Sequence, residues 1–216
     1  MKALFRNNKV FFIPYLVFLV SGLVFMICNS RAETHLIINS YYNSFLDTIS
    51  PYLTALGDGW TSVVVILFLL LIKYRYALLT GISFIVASLL VQLFRQTIFH
   101  GWPRPVKFFE GVHQLHLVPG VTIRYFNTFP SGHTATAFAL FFSLSVLVKN
   151  NFLKLIFFIL ALAVAYSRVY LSQHFFGDVY GGSLIGMFSV FVAYYFILKI
   201  KKSWPERSLQ TIFKRQ

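Results

Sequence analysis

Six stretches of mostly apolar residues, each close to 20 residues long, dominate the chain. An α-helix needs about 20 consecutive apolar residues to cross a lipid bilayer. The predicted spans are Val10–Cys28, Pro51–Ile72, Ala77–Phe99, Gly132–Val148, Phe152–Leu171 and Val179–Ile200. They leave too little sequence for a separate soluble domain, and the chain has no internal repeat. We therefore expect one integral-membrane domain over residues 1–216, an all-α, six-helix transmembrane bundle.

Composition excludes the common soluble classes of protein. Of the 216 residues, 57% are hydrophobic and 12% are charged, whereas soluble domains are about 45–50% apolar and about 25% charged. A water-soluble globule and a disordered chain are both excluded. The single cysteine, Cys28, excludes an internal disulfide and a metal cage of several thiolates from this chain. Lys2, Arg6 and Lys9 precede the first span as in a signal peptide, but this span is long and no small-residue cleavage site follows it, so we expect it to be retained.

The charged residues are distributed unevenly between the two predicted faces of the membrane. The face that includes both termini carries 13 of the 19 Lys and Arg residues, namely Lys2, Arg6, Lys9, Lys73, Arg75, Lys149, Lys154, Lys199, Lys201, Lys202, Arg207, Lys214 and Arg215. By the positive-inside rule this face is cytoplasmic. The net charge of +13 is then an orientation signal, helped by anionic lipid headgroups, and not a nucleic-acid surface. A bacterial inner membrane with the second face toward the periplasm fits this pattern, and an endoplasmic reticulum membrane would have the same topology.

Polar residues that suit phosphate binding collect on the second face. Arg104 lies between two prolines, which stiffen its backbone, and Arg95 lies near the end of the third span. Ser131, Gly132 and His133 open the fourth span, where serine caps a helix, glycine permits close approach and the helix N-terminus attracts anions. Taken alone, the arginines are better explained as headgroup anchors, and the second cluster is explained equally well as a capping turn with an interfacial histidine.

A third cluster of polar residues, Arg168, His174 and Asp178, is harder to explain by a purely structural role. Arg168 lies inside an otherwise apolar span, where a charge is unfavourable unless it faces a polar cavity. His174 and Asp178 are four residues apart, so they share one face if that segment is helical. The carboxylate can then fix the tautomer of the ring and leave its other nitrogen free as a nucleophile or base. Arginines, helix-end amides and two histidines together provide what a bound phosphate requires.

These residues resemble the type 2 phosphatidic acid phosphatase (PAP2) superfamily, integral-membrane lipid phosphatases that share a core with vanadium haloperoxidases. The family pattern is Lys-x6-Arg-Pro, Pro-Ser-Gly-His and Ser-Arg-x5-His-x3-Asp. The second and third parts stand unbroken here, as Pro130–His133 and Ser167–Asp178. The first part departs from the pattern, because Thr97 occupies the lysine position. Arg95 is the nearest basic residue before Arg104, and we assign it the role of the lysine.

The resemblance implies a mechanism and a set of site residues. His174 would attack phosphorus to form a phosphohistidine, Asp178 would orient its ring, and His133 would protonate the leaving alkoxide and then activate water. The residues expected to hold the phosphate oxygens are Arg95, Arg104, Ser131, Gly132 and Arg168. Such enzymes need no metal, so we expect no cofactor. His113 and His116 suggest zinc by their spacing, but further ligands are lacking nearby.

The expected substrate is a phosphorylated lipid of the outward leaflet, since a site at the membrane edge admits a headgroup while its tails stay in the lipid. The candidates are lipid A, undecaprenyl diphosphate, phosphatidylglycerol phosphate and phosphatidic acid. The long loop at Trp102–Phe129, with Lys107 and Arg124, favours the large head of lipid A. Alternatives are a transporter that uses intramembrane Arg, His and Asp, and a phosphotransferase in which another lipid hydroxyl intercepts the phosphohistidine. His35 and His100 are expected at the interface.

Overall fold

The computed structural model describes residues 2–200 and 204–210. Within these residues every named element is a helix, and one 3-10 turn, Trp204–Glu206, follows the last of them. The helices are α1 (Lys2–Asn7), α2 (Lys9–Cys28), α3 (Arg31–Ser40), α4 (Ser44–Ala55), α5 (Gly59–Ile72), α6 (Tyr74–Gln96), α7 (Pro105–Phe108), α8 (Gly132–Leu147), α9 (Asn151–Tyr170) and α10 (Phe176–Lys199). The basic residues Lys201, Lys202, Lys214 and Arg215 of the predicted cytoplasmic tail lie outside the described residues.

The all-helical, polytopic fold is confirmed, but the count of six spans is not exactly reproduced. Helices α2, α6, α9 and α10 are long and apolar enough to cross a membrane, and they coincide with four predicted spans to within a few residues. The predicted span Pro51–Ile72 is instead two helices, α4 and α5, bent by 53°. The predicted span Gly132–Val148 is the 16-residue helix α8, about 24 Å long at 1.5 Å per residue.

The break between α4 and α5 has a local cause in the sequence. Asp58 has an extended backbone and accepts a hydrogen bond from the amide of Trp60, so it caps the start of a new helix. Gly57 lies against α8, where an added Cβ would come within 2.6 Å of the carbonyl oxygen of His133. The hydroxyl of Thr136 donates to the carbonyl of Gly57 and ties the bend to α8.

Helix α8 is the centre of the bundle and packs against α6, α9 and α10. Its contact with α10 is close because α10 carries glycines on the facing side. A Cβ on Gly182 would lie 2.6 Å from the carbonyl oxygen of Ser131, and one on Gly186 would lie 2.5 Å from that of Ala135. Small residues four apart are how membrane helices bring their backbones together. The short central helix is therefore enclosed by longer ones.

Large apolar side chains on the outside of the bundle identify its environment. Along α2 the side chains of Ile13, Val17, Val20 and Val24 are all more than half exposed. A surface of this kind is incompatible with water and suits lipid tails. The chain is therefore an integral membrane protein.

Polar contacts define two opposite ends of the bundle. At one end the ammonium group of Lys154, at the start of α9, donates to the side-chain oxygen of Asn8, just before α2. At the same end Lys73 pairs with Glu206 after α10, at 2.7 Å. The predicted site residues gather at the other end.

Candidate functional site

A polar cavity of about 380 Å³ opens at the end of the bundle where α8 begins and α9 ends. We call it the arginine cavity, because four guanidinium groups and two imidazoles line it together with one carboxylate. These residues are Arg95, Arg104, Arg124, Arg168, His133, His174 and Asp58. They come from five separate parts of the chain, so the site exists only when the bundle is assembled.

His174 lies in the tight connection between α9 and α10. The amides of Gln173 and His174 both donate to the carbonyl oxygen of Arg168, at 3.1 Å, and Ser172 has a positive φ of 51° that allows the reversal. The ring is 1% exposed. Its Nε2 is 3.3 Å from Nη1 of Arg104, and its Nδ1 is 3.5 Å from Oδ2 of Asp178. One ring nitrogen therefore faces the cavity and the other faces the carboxylate.

Burial first, and then the cationic guanidinium groups of Arg104 and Arg168, hold the pKa of His174 well below its ordinary value of 6.5. A lowered pKa favours the neutral ring near neutral pH. In that form Nε2 keeps its lone pair when Nδ1 carries the proton, which is the tautomer that an adjacent carboxylate selects.

Asp178 is buried behind His174 and is held by three groups. Its Oδ2 accepts from the amide of Phe175 at 2.8 Å and from the hydroxyl of Thr128. A guanidinium nitrogen of Arg31 lies 3.9 Å from Oδ1, while the same guanidinium lies 3.7 Å from the ring centre of Phe175. Because these contacts come from α3, from the long loop and from the residue that caps α10, the carboxylate has little freedom to turn away from the imidazole.

His133 is in the first turn of α8, and its position depends on the cap before it. The buried hydroxyl of Ser131 accepts from the amide of Thr134 and begins the helix. Across the cavity Oδ2 of Asp58 lies 4.0 Å from Nε2 of His133. The bend at Gly57 that packs on α8 places Asp58 beside this ring.

The arginines are fixed largely by backbone carbonyl groups. Arg104 donates to Phe126 at 2.8 Å, to Gln173 at 2.9 Å and to Asn127 at 3.3 Å. Arg95 donates to the carbonyl of Pro130 through Nε and Nη2, at 3.1 and 2.8 Å. Burial lowers the pKa of Arg104 to about 10, so it remains a cation at neutral pH. Carbonyl dipoles hold these side chains without neutralising their charge.

Three of the five predicted phosphate-binding residues line the arginine cavity, and two do not. Arg95, Arg104 and Arg168 line the arginine cavity, whereas Ser131 and Gly132 do not. Ser131 is fully buried and caps α8. Gly132 lines a neighbouring cavity of about 220 Å³.

Sequence reasoning missed Asp58, which it left out of the site, and the carboxylate supports Arg31 and Thr128. Arg124 was noted only as a loop residue for headgroup recognition. Its guanidinium lines the cavity and makes no hydrogen bond or ion pair with another residue of the described ranges. Asp58 had a usable signal in the sequence, the Gly-Asp-Gly turn before an apolar run, whereas Arg31 and Thr128 had none.

His35 is not at the interface, as its sequence context suggested. It is fully buried, its Nε2 lies 3.2 Å from the hydroxyl oxygen of Ser172, and burial lowers its pKa to about 4. Asn39 donates to the same hydroxyl at 3.3 Å. Helix α3 therefore supports the connection that carries His174. Of His113 and His116, the pair whose spacing suggested zinc, His116 lies 2.8 Å from Asp47. Across residues 2–200 and 204–210 no three potential metal-ligand side chains converge.

Comparison with known proteins agrees with the geometry. The model of the PAP2 superfamily matches residues 75–202. The lipid A 4'-phosphatase of Bacteroides thetaiotaomicron is 33% identical over 72 residues, which are 33% of this chain and 32% of that protein. The chain thus matches about a third of the length of this relative.

Two solved structures share the fold. The crystal structure of Aquifex aeolicus LpxE superposes with a TM-score of 0.66 and 25% identity, covering 74% of this chain and 92% of LpxE. The PAP2-type phosphatidylglycerolphosphate phosphatase of Bacillus subtilis gives a TM-score of 0.63 and 22% identity, covering 92% of this chain and 99% of that one. The predicted family and fold are therefore confirmed.

Proposed function

Because the chain belongs to the PAP2 superfamily, we propose that it is a membrane lipid phosphatase that releases phosphate from an amphiphilic lipid through a phosphohistidine at His174. One observation carries this proposal. Nε2 of a buried imidazole opens into a cavity lined by guanidinium groups, while Nδ1 of the same ring faces the carboxylate of Asp178 at 3.5 Å. A nucleophile, an orienting group and an anion-binding wall are therefore in one place.

In the first step Nε2 of His174 forms a bond to phosphorus as the bond from phosphorus to the lipid oxygen breaks. His133 gives its proton to the leaving alkoxide, and Oδ2 of Asp58 lies 4.0 Å from its Nε2. Asp178 stabilises the positive charge that develops on the imidazole of His174. In the second step His133 takes a proton from water, whose oxygen bonds to phosphorus as the P–Nε2 bond breaks.

The guanidinium groups of Arg95, Arg104 and Arg168 supply fixed positive charge for the phosphoryl oxygens as negative charge spreads over them. Ser131 and Gly132 contribute through the N-terminus of α8, which starts beside the cavity. No metal is required in this scheme, because the cations of the site are side chains.

Lipid A is the first substrate to test, because the relative in Bacteroides thetaiotaomicron is named a lipid A 4'-phosphatase. Undecaprenyl diphosphate, phosphatidylglycerol phosphate and phosphatidic acid are the other members of the panel. The cavity lies at the end of the bundle opposite to Lys73 and Lys154. We therefore propose a bacterial inner membrane with cytoplasmic termini and a periplasmic site. Transport has no support from the family or from the relatives.

The test measures phosphate release from the four lipids in mixed micelles containing EDTA. The wild-type protein is expected to hydrolyse at least one lipid, and His174→Asn, which keeps a similar volume, is expected to lose turnover. His113→Ala, a change in the exposed part of the long loop, serves as the matched control. Loss of activity in EDTA that added metal restores, or turnover by His174→Asn at the wild-type rate, would contradict the proposal.

A further inference from the structure

Arg124 differs from the other three arginines that line the arginine cavity. Arg95 and Arg104 donate to backbone carbonyl groups, and Arg168 donates to the hydroxyl of Thr54 at 2.7 Å. The guanidinium of Arg124 makes no hydrogen bond or ion pair with any residue that the structure describes. We propose that Arg124 is a further phosphate-binding residue, whose guanidinium binds the phosphoryl oxygens when the substrate enters. This inference rests on the proposed lipid phosphatase activity and adds a residue to its site.

The backbone on both sides of Arg124 is attached to the site. On one side the carbonyl oxygen of Thr122 accepts from the side-chain amide of Gln173 at 3.1 Å. On the other side the carbonyl oxygen of Tyr125 accepts from the amide of Arg104 at 2.8 Å. Because Gln173 and Arg104 both line the arginine cavity, the backbone of Arg124 has a defined position at the cavity wall, while its side chain is free to move.

The side chain of Arg124 also borders a second cavity, of about 640 Å³, which shares Arg95 and Arg104 with the arginine cavity. Arg124 belongs to an exposed part of the long loop, so water solvates its charge before a substrate binds. A guanidinium without protein partners is therefore tolerated at this position. When it binds a phosphate it exchanges water for the phosphoryl oxygens and breaks no contact within the protein.

The number of free donors separates the contribution of Arg124 from that of its neighbours. An arginine has five N–H donors, held in a planar fork. Arg104 uses Nε, Nη1 and Nη2 to bond three carbonyl groups, and Arg95 uses Nε and Nη2 to bond that of Pro130. These two residues therefore supply mainly fixed charge. Arg124 keeps all its donors and can bind two phosphoryl oxygens through a pair of parallel hydrogen bonds.

The experiment measures the affinity of Arg124→Gln and Arg124→Lys for inorganic phosphate, which has no lipid tail and so excludes any effect of headgroup anchoring. The dissociation constant follows from the rise in Tm with phosphate concentration. KM and kcat are measured on the lipid of the panel that the wild-type protein hydrolyses fastest. Arg6→Gln removes the same charge from an exposed residue at the opposite end of the bundle and is the matched control.

Loss of a charge-assisted pair of hydrogen bonds weakens binding about tenfold or more. Arg124→Gln should therefore raise both the dissociation constant for phosphate and KM for the lipid by about that factor. We expect kcat within threefold of wild type, because Arg124 binds the phosphoryl oxygens equally before and during the reaction. Arg124→Lys should recover part of the affinity, since lysine keeps the charge but not the planar pair of donors. Without phosphate, Tm should be the same for all variants.

A phosphate affinity of Arg124→Gln within twofold of wild type would overturn the inference. If KM alone rose, Arg124 would be an anchor for headgroups and not part of the phosphate site. A lower Tm of Arg124→Gln without phosphate would reveal a structural role and would overturn the inference as well. Failure of the wild-type protein on every lipid of the panel would instead refute the proposed function. The phosphate affinities do not depend on turnover, so the two failures can be told apart.

Discussion

The contact between Asp178 and His174 is the most informative one to perturb, and Asp178→Asn is the change that tests it. Asparagine has nearly the volume of aspartate, so the packing around this 3%-exposed residue is preserved. The amide oxygen can still accept from Thr128 or from the Phe175 amide. What is lost is the negative charge near Nδ1 of His174 and the preference for a proton on that nitrogen.

The expected magnitude follows from the 3.5 Å between Nδ1 and Oδ2. At an effective dielectric constant of about 20, two unit charges at this separation attract by about 5 kcal/mol. Only part of the charge on the imidazole has developed in the transition state, so we expect a loss of about 3–4 kcal/mol. Since about 1.4 kcal/mol is a factor of ten in rate, kcat should fall by roughly 10²–10³-fold.

The assay is phosphate release under saturating lipid, with single-turnover rates to separate phosphohistidine formation from its hydrolysis. Glu110→Gln is the matched control, because this carboxylate is 62% exposed and, among the residues that the structure describes, pairs only with Lys107 on the surface. We expect its kcat within twofold of wild type. A folded Asp178→Asn protein with kcat within threefold of wild type would refute the role of the carboxylate, and with it the reasoning that links the 3.5 Å contact to catalysis.

Three further predictions concern the packing, the orientation and the pH dependence. Gly186→Ala places a Cβ 2.5 Å from the carbonyl oxygen of Ala135. It should lower the free energy of unfolding by about 1–3 kcal/mol, which is measured as a lower Tm in detergent. Gly81→Ala, whose Cβ would have no atom nearer than 3.9 Å, should leave Tm unchanged. Cys28, the single cysteine, is exposed at the end of α2 that leads to the site. A membrane-impermeant maleimide should therefore label it from the periplasm, with Cys28→Ser as the background control. Labelling only after permeabilisation would show that the proposed topology is inverted. Because the pKa of His174 lies below 6.5, the neutral nucleophile persists as pH falls through 6.5. The acid limb of kcat/KM, corrected for the substrate's own phosphate ionisation, should therefore lie below that pH; a limb at or above 6.5 would contradict this.

Apolar run length predicted most of the bundle from the sequence, because lipid exposure imposes the same requirement on every spanning helix. It failed where helix capping or packing between helices determines the structure. Hydropathy alone joined α4 to α5, although Asp58 carries an N-cap signal between them. It also treated α8 as an ordinary span, whereas α8 is a 16-residue helix packed against the longer helices α6, α9 and α10. Hydropathy also gives no sign of α3, the polar helix after α2, although Ser30 and Glu33 form a capping box that starts it.

The candidate site, too, was predictable from the sequence only in part. Short-range spacing singled out His133, His174 and Asp178, and the structure places both imidazoles on one cavity with the carboxylate behind His174; their catalytic roles stay predictions. Asp58 and Arg31 reach the same site from segments more than 70 residues earlier in the chain. No periodicity encodes that approach, because it depends on how α3 and the bend before α5 pack on the bundle.

The concentration of positive charge around His174 explains how one arrangement would meet two requirements of the proposed mechanism. In the free protein, burial and the arginines lower the pKa of His174, which keeps its lone pair available for attack. When a phosphate group enters, its negative charge offsets that of the same arginines. The ring can then become cationic as Nε2 bonds to phosphorus, with Asp178 3.5 Å away to stabilise the charge. The same arginines therefore keep His174 nucleophilic before the substrate binds and allow its ring to become cationic afterwards, because the substrate brings the negative charge that offsets theirs.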